Sequence, residues 1–354
     1  MSFVPFFGGS VSSSKKGGGT PTPPPSIGGW VELARTTLGS SQEVVVGSIP
    51  DKRYYMVLQH GVGGGGVAHN NKLRFNSDSG SNYSARWSID GGADVNGGNF
   101  DAINTMPGTD HDVDEEFFNV TYVANLASKD KLVQSHYVHQ VASGAATAPG
   151  RGEIVGKWDN TSTAINNMSS VDAHPSGNEW VVLGWDPDDT HTTNFWEELA
   201  SVDLSGGAAS TLSTGTFTNK KYLWVQVFLE MGTTQIPSLR INDVSTGTPY
   251  VSRYSNNGAA DGTDLSQNQV ALANYQTHNT FANYFIVNDG INEALGISHA
   301  VVQNTAGAGN APNRAERVFK DTGAPTITKL EWGNFAAGSG NYGTKSIVKV
   351  WGAN

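Results

Sequence analysis

The sequence predicts an all-β protein in which two tandem antiparallel β-sandwich domains, jelly-roll-like in pattern, follow an extended N-terminal arm. The first observation is composition, since only 15% of the 354 residues are charged and 43 are glycine. The second is an internal repeat with a period of about 165 residues, as the pair Trp30 and Trp196 shows. The third is a series of short strand-like segments separated by turn residues, with almost no helical periodicity.

Residues 1–29 are predicted to form an N-terminal anchoring arm. Phe3, Phe6 and Phe7 stand near its start, and the run TPTPPPS predicts a stiff, extended spacer behind them. Three exposed phenylalanines reduce solubility unless they dock on a partner. We therefore expect the arm to attach the chain to another protein, with a leader of no function as the alternative. Its lysine pair follows the apolar part, which is the reverse of a secretory signal.

Residues 30–189 and 190–354 are predicted to be two copies of one sandwich domain. Each copy holds about eight short strand patterns, the number in a jelly roll. In YLWVQVFLEM both faces are apolar, which predicts a central strand covered on both sides. The matched phrases include WVELARTTLGS with WEELASVDLSG, DKRYYMVLQH with NKKYLWVQVF, and LRFNSDSGSNYSARWSIDGGAD with LRINDVSTGTPYVSRYSNNGAAD.

The phrase Ala-Pro-x-Arg-x-Glu occurs once in each copy. It predicts the start of a strand after a loop, because proline fixes φ and lacks a backbone donor. The Arg and Glu, two residues apart, fall on one face, where we expect them to tie the strand to its neighbours or to another subunit. A catalytic role would need two active sites without a shared nucleophile. The residues are Pro149, Arg151 and Glu153 in the first copy, and Pro312, Arg314 and Glu316 in the second.

The densest acidic stretch is TDHDVDEE, which contains Asp110, Asp112 and Asp114. Alternating aspartates can hold a cation such as Ca²⁺, but the glycine of an EF-hand loop is missing and the second copy has no acids there. A solvated acidic loop is the preferred interpretation, with a cation site and a pair of glycosidase carboxylates as alternatives. With no cysteine in the chain, thiolate metal sites are excluded, and no cofactor is predicted.

The histidines do not form a recognisable catalytic or zinc pattern. His136 and His139 are three apart on a predicted strand and therefore point to opposite faces. His136 is matched by His299 in the second copy, which favours a packing position over a ligand. The chain also lacks a nucleophile elbow and a P-loop. We therefore predict that the protein is not an enzyme.

One aromatic group combines with an arginine in a way that carbohydrate sites also use. Tyr83, Arg86 and Trp87 are close in sequence, and tyrosines match the two aromatic positions in the second copy. Core and rim packing is the preferred interpretation, and contact with a glycan is the alternative.

The charge balance excludes two classes of partner. The formal net charge is −10, with no long basic run, so no nucleic-acid groove is predicted. No apolar segment approaches the roughly 18 residues of a membrane span, so no membrane partner is predicted.

Three phrases of the first copy together resemble poorly characterised virion proteins of bacteriophages, many of them from aquatic environments. They are LARTTLGS, LRFNSDSGSNYSARWSIDGGAD and APGRGEIVGKW. The resemblance covers nearly all of the first copy and, more weakly, the second, where VFKD replaces VGKW; residues 1–29 lie outside it. It implies a component of the virus particle.

The resemblance and the domain pattern together predict a structural protein of a virion, assembled in the host cytoplasm. The preferred role is a surface component (a capsid decoration protein, head fibre or tail appendage) held to other virion proteins by residues 1–29. Homotrimers are expected, because three sandwiches around an axis can bury their sheet edges. The alternatives are a major capsid shell protein with two jelly rolls per chain, and an adhesin that binds a host-surface glycan.

Overall fold

All regular structure described in this chain is β-structure. The structure is a computed structural model and describes residues 29–63, 71–107, 115–187, 194–231, 235–272, 278–303, 311–323 and 326–354. Within these ranges 24 strands form four antiparallel sheets, two of eight strands and two of four. None of the described residues belongs to a helix long and apolar enough to cross a membrane. The predicted all-β class and tandem sandwiches are therefore confirmed.

The first twelve strands form the first sandwich, and the next twelve form the second. The first contains β1 Val31–Thr37, β2 Gln42–Val46, β3 Tyr54–Gly61, β4 Lys72–Phe75, β5 Tyr83–Ile89, β6 Val95–Phe100, β7 Ile103–Asn104, β8 Phe117–Ala124, β9 Lys131–His139, β10 Gly150–Trp158, β11 Met168–His174 and β12 Glu179–Trp185. The second contains β13 Glu197–Asp203, β14 Thr211–Ser213, β15 Tyr222–Leu229, β16 Gln235–Ile241, β17 Tyr250–Asn256, β18 Gly262–Gln267, β19 Val270–Ala271, β20 Thr280–Val287, β21 Ala294–Val302, β22 Asn313–Asp321, β23 Leu330–Gly338 and β24 Ile347–Ala353.

Eight strands of each sandwich have the order of a jelly roll. In the first sandwich the larger sheet contains the run β1-β12-β3-β8, and the smaller sheet is β2-β11-β4-β7. In both sheets, strands from the first part of the domain alternate with strands from its last part. This alternation is the strand order of a jelly roll, which consists of two Greek keys. The second sandwich repeats the order as β13-β24-β15-β20 and β14-β23-β16-β19.

Four further strands extend the larger sheet of each jelly roll. Beside β8 the first sheet continues as β9-β10-β5-β6, and beside β20 the second continues as β21-β22-β17-β18. The sequence predicted about eight strands per copy, so this count was too low. The extra strands belong to hairpins inserted between jelly-roll strands, and the outermost of them, β6 and β18, are polar and mostly exposed.

The two eight-stranded sheets pack against each other, so the layers run four, eight, eight and four strands. Each sandwich has its own apolar core between its two sheets. A third cluster, called here the central core, lies between the two large sheets. It contains Met56, Leu58, Phe118, Val120, Val138, Val181, Leu183, Trp196, Tyr222, Phe285, Val287, Leu295, Ile297, Val318 and Ala353.

Strands β3 and β15 explain why the central strands are apolar on both faces. On β3, Tyr55 and Val57 pack in the first sandwich, while Met56 and Leu58 pack in the central core. Since successive side chains of a strand point to opposite faces, a strand that packs against an apolar core on each face is apolar along its length. The central strand predicted from YLWVQVFLEM is β15, and it has this environment.

Candidate functional site at the contact between the sandwiches

The arginine of the first repeat phrase lies at the contact between the two sandwiches. On β10, Ile154 and Trp158 face the core of the first sandwich, so Arg151 on the other face points to the second sandwich. Its Nε donates to Oδ2 of Asp261 at 2.9 Å, and its Nη2 donates to Oδ1 at 2.7 Å. The side chains of Arg151 and Asp261 are each only 4% exposed, so this forked pair is buried.

Two glutamates complete this buried charge network. Nη1 of Arg151 forms ion pairs with Glu153 on its own strand and with Glu316 on β22, the latter at 3.4 Å. Burial alone would lower the pKa of Arg151, but the hydrogen bond of Asp261 and the charge of Glu153 hold it above its usual value. Burial raises the pKa of Glu153 to about 7, against the opposing charge of Arg151.

The second repeat phrase uses its arginine differently. Arg314 pairs with Glu316 at 3.1 Å, and its side chain is 60% exposed. Pro149 and Pro312 directly precede β10 and β22, at the loop-to-strand positions predicted for them. The carbonyl oxygen of Pro149 also accepts a hydrogen bond of 2.8 Å from Nε of Arg253. The tie predicted to neighbouring strands or another subunit is thus made, within this chain, to the other sandwich.

A second cluster of polar side chains joins the two sandwiches near the loop that follows β9. Lys320 is fully buried, and its ammonium group donates hydrogen bonds to the carbonyl oxygens of Gln140, at 3.3 Å, and of Ala142. Glu293 accepts from Nε2 of Gln140 at 2.8 Å and from the backbone N–H of Gly144 at 2.6 Å. Each sandwich thereby satisfies polar groups that the other buries.

Glu179 forms a third polar group, at the start of β12. It accepts hydrogen bonds from Thr37 and from the phenol of Tyr222, both at 2.7 Å, and it pairs with Lys221 at 2.9 Å. Burial alone would raise the pKa of Glu179. The bond from Thr37 and the charge of Lys221 reverse this effect and lower the pKa to about 2. Glu179 is therefore held ionised between the two sandwiches.

The matched histidines of the two repeats touch each other at the contact. Nδ1 of His136 lies 2.7 Å from Nε2 of His299, and the rings meet edge to face. Burial lowers the pKa of both side chains, and the charge of the His299 ring lowers that of His136 further. His139 points away from this pair and bonds Glu115 at 2.8 Å, so the prediction of opposite faces is confirmed.

One cluster at the contact combines a histidine with two carboxylates. Nε2 of His60, at the end of β3, lies 2.9 Å from Oε1 of Glu116, just before β8. One candidate ligand atom from each of His60, Glu116 and Asp289 lies within 4.8 Å of the other two. Burial lowers the pKa of His60 to about 4 and raises that of Glu116 to about 9. His60 and Glu116 belong to the first sandwich, and Asp289 to the second.

Some of the predicted site residues lie outside the described ranges. These are the arm residues Phe3, Phe6 and Phe7 and the acidic candidates Asp110, Asp112 and Asp114. The described end of the acidic stretch, Glu115 and Glu116, instead forms the two histidine pairs given above.

The candidate glycan residues lie in different environments. Tyr83 is 1% exposed, stacks on Trp158 and bonds the backbone of Phe75, so its ring is inaccessible to a ligand from solvent. Its packing agrees with the preferred core interpretation. Trp87 is half-buried against Phe100, whereas Arg86 is exposed and pairs with Asp94 at 3.5 Å.

Several residues of the contact were not found by sequence reasoning. Asp261 ends the phrase GAAD, which matches GGAD in the first copy, so the repeat did contain a signal for it. Lys320 matches Lys157 in the same way. For Asp289 the repeat contains no such signal, because the matched residue of the first copy is Leu126.

No protein-family model matches this chain, and no curated protein matches it either.

Proposed function

We propose that the chain is a structural protein of a virus particle, without catalytic activity, and that it acts as a surface component of the particle. The observation that supports this proposal most is the ion-pair network of Arg151, a residue of the repeated motif. This network joins the two jelly rolls into one four-layered body. The resemblance of the first copy to virion proteins supports the same conclusion, and jelly rolls recur in viral capsids.

In this proposal the N-terminal arm attaches the chain to the particle. Residues 1–29, with Phe3, Phe6 and Phe7, would dock on other virion proteins, while the two sandwiches project from the particle. The first strand after residues 1–29 is β1, an edge strand of the first large sheet.

Self-association would use a free sheet edge. Strand β6 ends the first large sheet, pairs with β5 alone among the described strands, and exposes Val95 and Asn96. Its counterpart β18 is partly covered, because the backbone N–H of Ser266 donates to the carbonyl of Ala145 at 2.9 Å. A homotrimer that covers β6 removes an edge that would otherwise favour aggregation.

The test is to locate the chain on intact particles by electron microscopy with antibodies raised against the recombinant protein. We expect labelling of the outer surface of unbroken particles. Labelling of disrupted particles alone would contradict a surface role, and absence of the chain from purified particles would overturn the virion proposal. In a parallel preparation, assembly of the pure protein into closed shells would favour the capsid-shell alternative.

The arm has its own test, with a chain that lacks residues 1–29 and begins at residue 30. This variant should unfold at the same temperature as the full chain, because its sandwiches are intact, but should fail to bind particles that lack the protein. Equal binding by both chains would contradict the anchoring role.

A glycan-binding adhesin is the second candidate, since Arg86 is exposed beside the half-buried Trp87. Glycan-array binding that is lost in Trp87→Ala would support it. The matched control is Tyr254→Ala in the second copy, where Arg317 covers the ring at 4.2 Å. No binding by the full chain would exclude this candidate.

A further inference from the structure

We propose that His60, Glu116 and Asp289 form a binding site for one divalent transition-metal ion, with Zn²⁺ the best fit, and that this ion joins the two sandwiches. The proposal is independent of the virion function. It concerns an interior group at the contact, whereas the predicted cation candidates were the aspartates Asp110, Asp112 and Asp114.

The donor atoms already lie at the spacing of a metal site. Candidate ligand atoms of the three residues are all within 4.8 Å of one another, and the closest pair is 2.9 Å apart. Bonds of about 2.0–2.2 Å place the ligands of one Zn²⁺ ion roughly 3–4 Å apart. Small side-chain movements therefore suffice to bring the three onto one ion.

Unpaired buried atoms indicate that the cluster is incomplete without a ligand. His60 is 1% exposed and Glu116 is 3% exposed. Nδ1 of His60 and Oε2 of Glu116 are both buried and have no hydrogen-bond partner among the described residues. Buried polar atoms are normally satisfied, and leaving them unpaired is costly. A cation bound by the Glu116 carboxylate would satisfy the unpaired oxygen.

The third ligand, Asp289, is held in place by hydrogen bonds within its own turn and lies on the solvent side of the cluster. Oδ1 of Asp289 accepts the backbone N–H groups of Ile291 and Asn292 at 2.8 Å, and Oδ2 accepts the amide of Asn292 at 2.7 Å. Such partners orient a ligating carboxylate. Asp289 is only half-buried, so an ion can reach the cluster from this side.

The chemistry of the donors selects the ion. One imidazole nitrogen and two carboxylate oxygens suit Zn²⁺, with water in a fourth position. Calcium prefers oxygen ligands alone. The nearby ammonium of Lys221 is paired with Glu179 at 2.9 Å, so its positive charge is compensated next to the site.

Binding would link the sandwiches directly, because two ligands come from the first and one from the second. An ion that binds only the folded, docked arrangement stabilises it by mass action. We therefore expect added Zn²⁺ to raise the thermal unfolding midpoint of the full chain.

The experiment is a calorimetric titration of ZnCl2 into the full chain after treatment with EDTA and dialysis. We expect one ion per chain. Asp289→Asn keeps an oxygen that can accept the hydrogen bonds of the turn but removes a charged ligand. It should weaken Zn²⁺ binding by at least about 100-fold, because loss of a residue that only hydrogen-bonds a metal ligand already weakens metal binding by about 10- to 100-fold. It should also abolish the Zn²⁺-dependent rise in the unfolding midpoint. Glu116→Gln, which can still bond His60, is the second variant if Asp289→Asn does not fold.

The control is Glu115→Gln. It alters the neighbouring histidine–carboxylate pair, which among the described residues has no third ligand, and it should bind Zn²⁺ like the unaltered chain. The proposal is overturned if the full chain binds no Zn²⁺, if Asp289→Asn binds equally well, or if Ca²⁺ binds at this site in preference to Zn²⁺.

Discussion

Arg151 and Arg314 occupy the same position of the repeat, but burial gives them different energetic roles. Arg151 is shielded from water and shares its charge among Asp261, Glu153 and Glu316, whereas Arg314 is exposed and pairs with Glu316. Exposed ion pairs contribute roughly 0–1 kcal/mol. Removal of one partner from a buried pair costs more, because it leaves an uncompensated charge in the interior.

We expect Arg151→Met to reduce the free energy of unfolding by about 3–5 kcal/mol, because the buried carboxylate of Asp261 loses its partner. Arg314→Met, the matched control, should cost at most about 1 kcal/mol. Urea unfolding followed by tryptophan fluorescence measures both. Equal effects of the two substitutions would contradict the role assigned to the buried network.

Glu179 makes the free energy of unfolding depend on pH in the acid range. Its pKa is lowered from 4.5 to about 2 in the folded chain, so the unfolded state binds the proton first. The stabilisation is complete above pH 4.5 and is lost as the pH falls through 2, with an upper bound of about 3 kcal/mol. Glu179→Gln should remove this acid dependence between pH 4.5 and 2 in urea unfolding. Glu198→Gln, which alters an exposed pair with Lys349, should retain it.

At the scale of elements, β9 and β21 meet through one histidine pair. Because burial lowers the pKa of His136 and His299, the unfolded state binds protons more readily below pH 6.5. Stability must therefore decrease as the pH falls below 6.5. The charged groups around the pair are Arg151, Glu316 and Arg314, and two imidazolium rings side by side would add repulsion.

The double variant with His136→Gln and His299→Gln should therefore unfold at a midpoint that changes less between pH 6.5 and 5 than that of the unaltered chain. Thermal unfolding at several pH values provides the measurement. His139→Gln, whose ring faces Glu115 on the other side of β9, is the control. An unchanged pH dependence in the double variant would show that other groups dominate this range.

The elements also show what the sequence could predict. Apolar residues on both faces of β15 indicated a strand covered twice, and Pro149 and Pro312 indicated the starts of β10 and β22. The number of strands was underestimated, because β6 and β18 lack the apolar alternation by which a half-buried strand is predicted. The His60–Glu116–Asp289 group was not predicted, because it forms only when the two sheets dock, and a strand pattern does not show which residues of the two sheets will lie opposite each other.

At the scale of the whole molecule, the central core makes each sandwich depend on the other. Its residues come from both large sheets, and buried charges on one side find partners on the other. A single sandwich would expose an apolar face that also carries buried charges. Large exposed patches of this kind favour association.

Separate expression of residues 29–187 and 194–354 tests this dependence. Each piece retains its own jelly-roll core but should self-associate or aggregate, because its half of the central core is exposed to water. Co-expression should instead give a soluble one-to-one complex, which size-exclusion chromatography with light scattering detects. If each piece were a stable monomer, the central core would contribute little. Arg151→Met should weaken the complex, because Asp261 then lies unpaired at the contact, whereas Arg314→Met should leave its affinity nearly unchanged.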